Sequence, residues 1–434
     1  MLPHACAVLR DEAVVPDEAV VVRVLAPSEQ RFVRHGTYTG RSVSVTGPLD
    51  RAAATAAFAA LQRAFPVVTC RIGEDASGTG YLLRPGDSLV EATVTEGDVE
   101  SFGLPAQQLD PATQLAYLDV VAGADRWRVT LFAHHSVADA GHCVDMLSRW
   151  WGWYTDIVDS VPIDVVPQDY PQSLEWHAER RGIVRGAVSG FEDVTGTTPP
   201  EAGAAAAGEP RPSSMARPQR IRLDQATTAR IVELGRHRGV SVNGLVTAAL
   251  LRAYASETSD VAGDSVRLGC LYPVDLRSRL DPRVAPAAGT NMAGLASFAA
   301  DIDPSGDVIE LAQRISGRLR HDLSEGIVQQ SVLHFPDFYG PNRIHSLAKH
   351  VAITNTGAVP RFRTPAGVEL TDYEIVYLSA HPRRSTGSAA VVTFPVYTFH
   401  GMLTVGVLAG GDADRLLVAV HKELTALSDA VIED

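Results

Sequence analysis

The sequence predicts an α/β protein made of two halves of similar size, and three observations support this fold class. The chain has 434 residues, too many for one ordinary hydrophobic core, and suits two domains of about 200 residues each. Residues 191–220 contain five prolines separated by glycine and alanine, which is the composition of a linker. Each half also begins with the same order of elements: a strand-like segment, a Leu-Asp pair and a helix-like segment.

The repeated opening predicts where the first helix of each half begins. In the first half, the alternating segment "RSVSVTGPLD" ends at Asp50, a residue type that caps helix N-termini. In the second half, "QRIRLD" ends at Asp224, and the helical pattern that follows ends at Gly239. We therefore expect an N-terminal subdomain over 1–190, a linker over 191–220 and a C-terminal subdomain over 221–434.

The composition argues against several classes of protein. The formal net charge is −13 and no long run of lysine or arginine occurs, so we expect no nucleic-acid partner. The helical patterns at 225–238 and 242–255 lack the basic face of a DNA-binding helix–turn–helix, and two packed helices are favoured. The cysteines form no CxxC pair, which favours free thiols in a reducing, cytoplasmic compartment. They are Cys6, Cys70, Cys143 and Cys270.

The sequence predicts neither a signal peptide nor a membrane span. The first twenty residues contain acidic side chains early and no long apolar core. The most membrane-like segment, 389–410, contains Pro395, His400 and Gly401 among valines and threonines. We predict two strands joined at Phe-His-Gly there, because such residues favour strands and disfavour a helix in lipid.

The stretch "AHHSVADAGH" concentrates three histidines and an aspartate. Alternating apolar residues just before it predict a strand that ends at His134 and His135. Apolar residues at helical spacing after it predict a helix from Asp139 to about Trp151. We therefore expect the two histidines in a short loop held between a strand and a helix, where catalytic residues are common.

Three kinds of chemistry can be weighed for this stretch. A metal site is disfavoured because His134 and His135 are adjacent on a strand and point to opposite faces, and no further ligand stands at zinc spacing. A covalent nucleophile is disfavoured because Ser136 lacks the GxSxG elbow and Cys143 falls on the apolar face of the helix. General-base catalysis by one histidine remains, since imidazole titrates near neutral pH.

Asp139 has two interpretations that the residues alone leave open. It stands directly before the predicted helix and is a good N-cap. It could equally form a buried ion pair with an arginine from elsewhere in the chain.

At this point "HHSVADAG" resembles the HHxxxDG signature of the chloramphenicol acetyltransferase-like acyltransferases, a superfamily that includes peptide condensation domains. Further blocks are similar to the polyketide-associated acyltransferases such as phthiocerol dimycocerosyl transferase. These blocks are "LQRAFPVVTCRI", "LYPVDLRSRLDPRV", "GTNMAG", "GIVQQSVLHF" and "RFRTPAGVELTD". Together they span about residues 30–410.

The resemblance implies two chloramphenicol acetyltransferase-like subdomains arranged in a V, with a tunnel between them. It implies that His135 is the general base and that His134 and Asp139 are mainly structural. It further implies that Arg277 pairs with Asp139.

Three more positions follow from the resemblance. Arg363 matches an arginine of the active-site region, and Asn355 stands where relatives place a polar residue near the tunnel, although a turn-forming Asn-Thr-Gly explains Asn355 equally well. The family's glycine after the aspartate is Ala140 here, with Gly141 one place later. A methyl group at that position would narrow the approach of a thioester.

The implied activity is an O-acyltransferase that needs no metal and no bound cofactor. The acyl donor is a thioester of coenzyme A or of a phosphopantetheinyl acyl carrier protein, which would then be a partner. The acceptor is a hydroxyl of a polyketide, lipid or other secondary metabolite, and transfer is direct. Arg363 or a backbone N–H near Gly141 is expected to stabilise the oxyanion. Two alternatives stay open: a stand-alone condensation enzyme that forms an amide, and a catalytically idle carrier-docking module.

Overall fold

A computed structural model describes residues 20–196, 211–258, 264–339, 344–383 and 390–430. The expectations for the N-terminal segment, for Cys6 and for the middle of the linker lie outside these residues. Among the described helices, none combines the length and the apolar character that a membrane crossing requires.

The strands of the described residues are β1 (Val21–Val24), β2 (Thr37–Thr46), β3 (Arg71–Glu74), β4 (Gly80–Leu83), β5 (Thr93–Glu96), β6 (Ala116–Ala122), β7 (Arg126–His134), β8 (Thr195–Gly196), β9 (Ser214–Ala216), β10 (Gln219–Arg222), β11 (Val266–Asp275), β12 (Ala293–Ile302), β13 (Ser346–Leu347), β14 (His350–Ala358), β15 (Glu369–Ser379), β16 (Ala390–Phe399) and β17 (Met402–Ala409). The α-helices are α1 (Pro27–Gln30), α2 (Arg51–Ala64), α3 (Ala140–Val158), α4 (Leu174–Glu179), α5 (Gln225–His237), α6 (Val242–Thr258), α7 (Val308–Ser324), α8 (Ile327–Gln330), α9 (Phe335–Phe338) and α10 (Ala413–Asp429).

Two six-stranded sheets organise the described chain. The first has the order β5-β6-β7-β2-β15-β9 and the second the order β10-β17-β16-β14-β11-β12. Helices α2 and α3 share one hydrophobic core with the first sheet, and α5, α6 and α10 share another with the second. The mixed α/β class predicted from the sequence is confirmed, while the V-shaped arrangement with its tunnel stays a prediction.

The predicted helix starts and the predicted hairpin are confirmed. The Asp50 carboxylate accepts the Ala53 N–H at 2.9 Å, and the Asp224 carboxylate accepts the Thr227 N–H at 2.7 Å. Strands β16 and β17 pair antiparallel around a turn at His400 and Gly401, both of which have positive φ. The membrane-like segment of the sequence is therefore a hairpin in the second sheet where the structure describes it.

Helix α3 is longer than predicted. It runs to Val158 rather than to about Trp151, because the apolar spacing continues past Trp151. The added turn buries Tyr154, whose ring centroid lies 5.3 Å from that of Trp150 and 5.8 Å from that of Trp127 on β7. This aromatic contact anchors α3 to the strand that leads into the histidine loop.

One strand crosses between the halves. Strand β15 comes from the C-terminal half, yet it pairs antiparallel with β2 in the first sheet, from Glu369 opposite Thr46 to Ser379 opposite Thr37. The subdomain boundaries at residues 190 and 221 stay a prediction. They assign β15 to the C-terminal subdomain, although it pairs within the first sheet. The crossing strand ties the second half to the sheet that carries the histidine loop.

The crossing strand generates a packing prediction at Gly40, which lies opposite Val376 of β15 and Phe132 of β7. A Cβ at Gly40 would lie 2.6 Å from Val376 Cγ2 and 2.8 Å from Phe132 Cε1. We expect Gly40→Ala to lower the free energy of unfolding by about 1–3 kcal/mol, because the core has no room for the added methyl group. Val376→Ala should recover part of this loss in a double-mutant cycle. Gly103→Ala, where a Cβ would contact nothing within 4 Å, is the control.

Candidate active site

The histidine loop is fixed by backbone hydrogen bonds at the end of β7. The His134 N–H donates to the Leu115 carbonyl at 2.7 Å, and the His135 N–H donates to the Thr37 carbonyl at 2.8 Å. The Val137 N–H closes a turn onto the His134 carbonyl at 3.0 Å. These bonds hold both histidines where the strand ends and α3 begins, as the sequence predicted.

The His135 imidazole has a defined tautomer. Its Nδ1 lies 3.0 Å from the Ala138 carbonyl oxygen. A carbonyl only accepts hydrogen bonds, so Nδ1 carries the proton and the Nε2 lone pair is free. The ring stacks on Phe32, with centroids 4.1 Å apart and an interplanar angle of 24°. His135 therefore presents an oriented basic nitrogen.

The surroundings keep His135 neutral. Burial lowers the pKa of His135 to about 4, and the positive charges of Arg31 and Arg41 contribute in the same direction. Asp139 and the Ala138 carbonyl oppose this shift without reversing it. At neutral pH the imidazole is unprotonated, which is the state that a general base requires.

His134 points away from that chemistry. Its side chain is fully buried and its ring meets the Tyr38 ring edge-on, with centroids 5.1 Å apart. Its Nδ1 accepts the Ser136 N–H at 3.3 Å, and burial lowers the pKa of His134 to about 3. This neutral, enclosed imidazole orders the loop.

Asp139 fills both of the roles that the sequence left open. Its Oδ1 accepts the His142 N–H at 3.0 Å and so caps α3. Its Oδ2 accepts from Arg277 Nη1 at 2.6 Å and from the Met292 N–H at 2.8 Å. One carboxylate thus joins the start of α3 to two segments of the C-terminal half.

Arg277 is buried with its partner. Its Nη2 donates to the Gly289 carbonyl at 3.1 Å, and its Nη1 also lies 3.3 Å from Asp275 Oδ1. The guanidinium holds the pKa of Asp139 below its usual value against the opposing effect of burial. A Cβ on Gly141 would lie 3.4 Å from Arg277 Nη1, which is van der Waals contact, so the start of α3 packs directly on the ion pair.

The 289–292 segment encloses the loop from the C-terminal half. The Asp139 N–H donates to the Thr290 carbonyl at 3.2 Å, and Asn291 Nδ2 donates to the His135 carbonyl at 3.4 Å. The segment lies within the block "GTNMAG" that carried part of the resemblance. The sequence therefore contained a signal for this segment, although not for its contacts.

A second side of the loop rests on α1. The buried Glu29 accepts two bonds from Arg23, at 2.6 and 2.8 Å, and one from Thr290 Oγ1 at 2.7 Å. The Ser136 hydroxyl donates to the Glu29 carbonyl at 2.8 Å. Sequence reasoning missed Glu29, because an isolated glutamate gives no sign that it is buried.

The hydroxyl and the thiol of this region are poor nucleophiles. The Ser136 hydroxyl donates to the Glu29 carbonyl, and among the described residues it forms no hydrogen bond with a basic side chain. Burial raises the pKa of the Cys143 thiol to about 12, so the reactive thiolate is scarce at neutral pH. Within the described residues, no group of three or more His, Cys, Asp and Glu side chains could hold a metal ion.

The structure places Arg363 and Asn355 away from the imidazole contacts. Arg363 Nη2 bonds the Gly152 carbonyl at 2.8 Å and Asp156 at 2.6 Å. Gly152 is about 18 Å along the helix axis from Ala140, at 1.5 Å per residue. The guanidinium of Arg363 therefore anchors a loop to the far part of α3, where it cannot act as an oxyanion donor beside His135.

Asn355 lies on β14 and makes local bonds. Its Oδ1 accepts the Gly357 N–H at 2.9 Å, which is the turn-forming contact that the sequence also allowed. Its Nδ2 donates to Asn243 Oδ1 at 3.0 Å at the start of α6. These contacts give Asn355 a structural role within the second half.

Sequence comparisons identify relatives of this chain. Residues 212–408 match the sequence model of the family described as phthiocerol/phthiodiolone dimycocerosyl transferase C-terminus. The transferase of that name from Mycobacterium ulcerans (strain Agy99) is 34% identical over 364 residues, which cover 81% of this chain and 85% of the relative. The one from Mycobacterium sp. (strain JLS) is 32% identical over 407 residues, 92% of this chain and 93% of the relative.

Solved structures show the same fold. Polyketide synthase associated protein 5 from Mycobacterium tuberculosis superposes with a TM-score of 0.76 at 27% identity, covering 94% of this chain and 98% of that one. The first condensation domain of the CDA synthetase superposes with a TM-score of 0.61 at 14% identity, covering 95% and 99%. The predicted superfamily is confirmed.

The ion pair generates a stability prediction. Asp139→Ala or Arg277→Ala should each lower the free energy of unfolding by roughly 3–5 kcal/mol, because either change leaves a buried charge without its partner. A double-mutant cycle measured by urea unfolding should show strong coupling. Arg267→Ala is the matched control, since Arg267 pairs with Asp301 at an exposed site and its loss should cost under about 1 kcal/mol. Additive losses for Asp139 and Arg277 would reject the interaction.

The buried histidines generate a pH prediction. Burial lowers the pKa values of His134, His135 and His142 from 6.5 to about 3, 4 and 4. Below pH 6.5 the unfolded chain binds protons that the folded chain excludes, so stability should be level above pH 7 and fall as the pH drops from 6.5 towards 4. Each histidine contributes a slope of about 1.4 kcal/mol per pH unit.

His142→Leu is the informative variant for this prediction, because His142 is fully buried and lies on α3, outside the loop that carries His134 and His135. Urea unfolding at several pH values should give a shallower slope for this variant than for the wild type. A wild-type unfolding free energy that stays constant between pH 7 and pH 5 would contradict the prediction.

Proposed function

The chain belongs to the phthiocerol/phthiodiolone dimycocerosyl transferase family, and from this premise we propose that it transfers an acyl group from a thioester to the hydroxyl of a lipid or polyketide acceptor. The observation that supports this most strongly is the state of His135. Its Nδ1 proton is donated to the Ala138 carbonyl, so a free Nε2 lone pair is available to a hydroxyl. The enzyme is an acyltransferase, and the thioester donor and the histidine base are the proposed parts.

The reaction proceeds by direct transfer. His135 Nε2 takes the proton of the acceptor hydroxyl as its oxygen attacks the thioester carbonyl carbon. The carbonyl oxygen becomes an oxyanion, the C–S bond then breaks, and the leaving thiolate takes the proton from the imidazolium. A covalent acyl-enzyme has no support, because Ser136 is bonded to a backbone carbonyl and the Cys143 thiol has a raised pKa.

The start of α3 is the proposed oxyanion site. The first backbone N–H groups of a helix have no partner within the helix, and the helix dipole makes this end positive. Asp139 occupies the N–H of His142, which leaves those of Ala140 and Gly141 as candidates. Arg363 is not among the candidates, since its guanidinium is bonded to Gly152 and Asp156.

The thioester carrier, the tunnel and the cellular location are further parts of the proposal. We propose coenzyme A or an acyl carrier protein as the thioester carrier, a tunnel between subdomains 1–190 and 221–434 with 191–220 as linker, and a cytoplasmic location. The described cysteines are free thiols, which fits a reducing compartment. They are Cys70, Cys143 and Cys270.

Amide formation by the same base is the second candidate. The likeness to condensation domains favours it only at the level of the fold. An assay that offers one acyl thioester with matched alcohol and amine acceptors separates the two. Formation of an ester identifies the O-acyltransferase, and formation of an amide identifies the condensation enzyme. If no thiol is released with either acceptor, the result favours the docking module.

His135→Ala tests the base. We expect the variant to fold and to bind thioester as the wild type does, but to turn over about 10²–10⁴-fold more slowly, because positioned bases contribute this much. Turnover is measured by thiol release, folding by Tm and thioester binding by calorimetry. His237→Ala removes an exposed histidine at the end of α5 and should keep the full rate. A near-wild-type rate for His135→Ala would remove His135 from the mechanism.

A further inference from the structure

Two arginines near His135 lack a carboxylate partner among the described residues. Arg277 pairs with Asp139 at 2.6 Å, whereas Arg31 and Arg41 form no ion pair there. Arg41 is buried, and an unpaired cation away from water costs free energy, so its retention needs a reason.

Arg41 lies on the same sheet face as His135. It pairs with Leu131 of β7, and Thr39 pairs with Ala133. Paired residues point to the same face and the side-chain period is two, so His135, two residues beyond Ala133, continues this row. Arg41 is 2% exposed, and its Nη1 donates to Thr39 Oγ1 at 2.7 Å, towards the His135 end of the strand.

Most donors of Arg41 are unused. Besides the bond to Thr39, Nη1 makes one long contact of 3.4 Å with the Gly40 carbonyl. Nε is enclosed and has no hydrogen-bond partner in the described structure. A guanidinium has five N–H groups, so this one has spare capacity for an anion.

Arg31 approaches His135 from another element. Its guanidinium carbon lies 4.6 Å from the centroid of Phe32, the ring on which His135 stacks at 4.1 Å. It also lies over Phe335 and Tyr339, at 5.2 and 5.7 Å. Its Nη2 donates to Asn291 Oδ1 over a long 3.4 Å, its guanidinium also hydrogen-bonds the Tyr339 side chain, and its Nε has no described partner.

The nearby carboxylates are committed to other groups. Asp139 acts electrostatically on both arginines, but its oxygens already accept from the His142 and Met292 N–H groups and from Arg277. Glu175 acts on Arg31 as well, and its oxygens accept from the N–H and hydroxyl of Ser28. Arg31 and Arg41 both act on His135 as well. Among the described residues, no carboxylate is left in ion-pair contact with either arginine.

We propose that Arg31 and Arg41 form an anion subsite beside His135, which binds a carboxylate of the acceptor close to its reacting hydroxyl. The inference rests on the proposed function and narrows the acceptor to a hydroxy acid. Guanidinium forks match carboxylates in geometry, and such charge-assisted bonds are stronger than neutral ones. The acceptor is assigned rather than the donor, because both cations act electrostatically on the imidazole that receives the hydroxyl proton.

The test compares acceptors that differ only in charge. Octanoyl-CoA is the donor, and 3-hydroxydecanoate and its methyl ester are the acceptors. We expect kcat/KM of the wild type to favour the acid by at least about tenfold, as the loss of a charged hydrogen bond predicts. In Arg31→Met and Arg41→Met the ratio should fall towards one, through the KM of the acid. Arg267→Met, at an exposed arginine, should keep the wild-type ratio.

Folding and binding are followed separately from turnover. Decanoate should raise the Tm of the wild type, and should do so less in both variants, while methyl decanoate should act equally on all three. Arg41→Lys keeps the charge without the fork and should retain part of the preference. A wild type that acylates acid and ester equally overturns the subsite, as does a preference kept in both methionine variants.

Two further outcomes are distinguishable from these. An equal fall of kcat for acid and ester in the variants assigns the arginines to the oxyanion and overturns carboxylate binding. Acylation of neither acceptor by the wild type, although decanoate binds through the arginines, counts against the proposed function and supports the subsite.

Discussion

The carboxylate of Asp139 is the interaction on which the site depends. One oxygen begins α3 by accepting the His142 N–H, and the other joins Arg277 and the Met292 backbone from the C-terminal half. Because a buried carboxylate is stable only when its hydrogen-bonding capacity is filled, the helix start and the contact between the halves both depend on this one side chain. The position of His135, four residues before Asp139, follows from this arrangement.

The same enclosure sets the chemistry. Burial keeps His134 and His135 neutral, and the Ala138 carbonyl selects the His135 tautomer whose Nε2 is free. Arg31 and Arg41 reinforce the neutral state. The base is unprotonated at neutral pH, and two arginine side chains lie beside it. Both features suit an acceptor whose hydroxyl lies near a carboxylate, as proposed above.

Much of this site could be predicted from the sequence, since its core is local. The strand, the loop and the helix start around His135 follow from alternating and helical spacing, whereas the sequence left open whether Asp139 caps the helix or forms an ion pair, and it does both. Arg277 required the resemblance, because no local pattern reports a contact across 138 positions. Arg31 and Arg41 were missed, because nothing in the sequence distinguishes them from ordinary surface arginines. Arg31 directly follows α1, and Arg41 lies on β2. Arg363 was misplaced, because a matching motif does not fix where a long side chain points.

The most direct test of the central claim is the ¹⁵N spectrum of the His135 imidazole in the histidine-labelled protein, recorded between pH 8 and pH 6 and assigned with His135→Gln. A neutral ring with the proton on Nδ1 and a bare Nε2, unchanged over this range, is the predicted result. A ring protonated on Nε2, or one that titrates near its ordinary pKa of about 6.5, would contradict the role of His135 as a poised base.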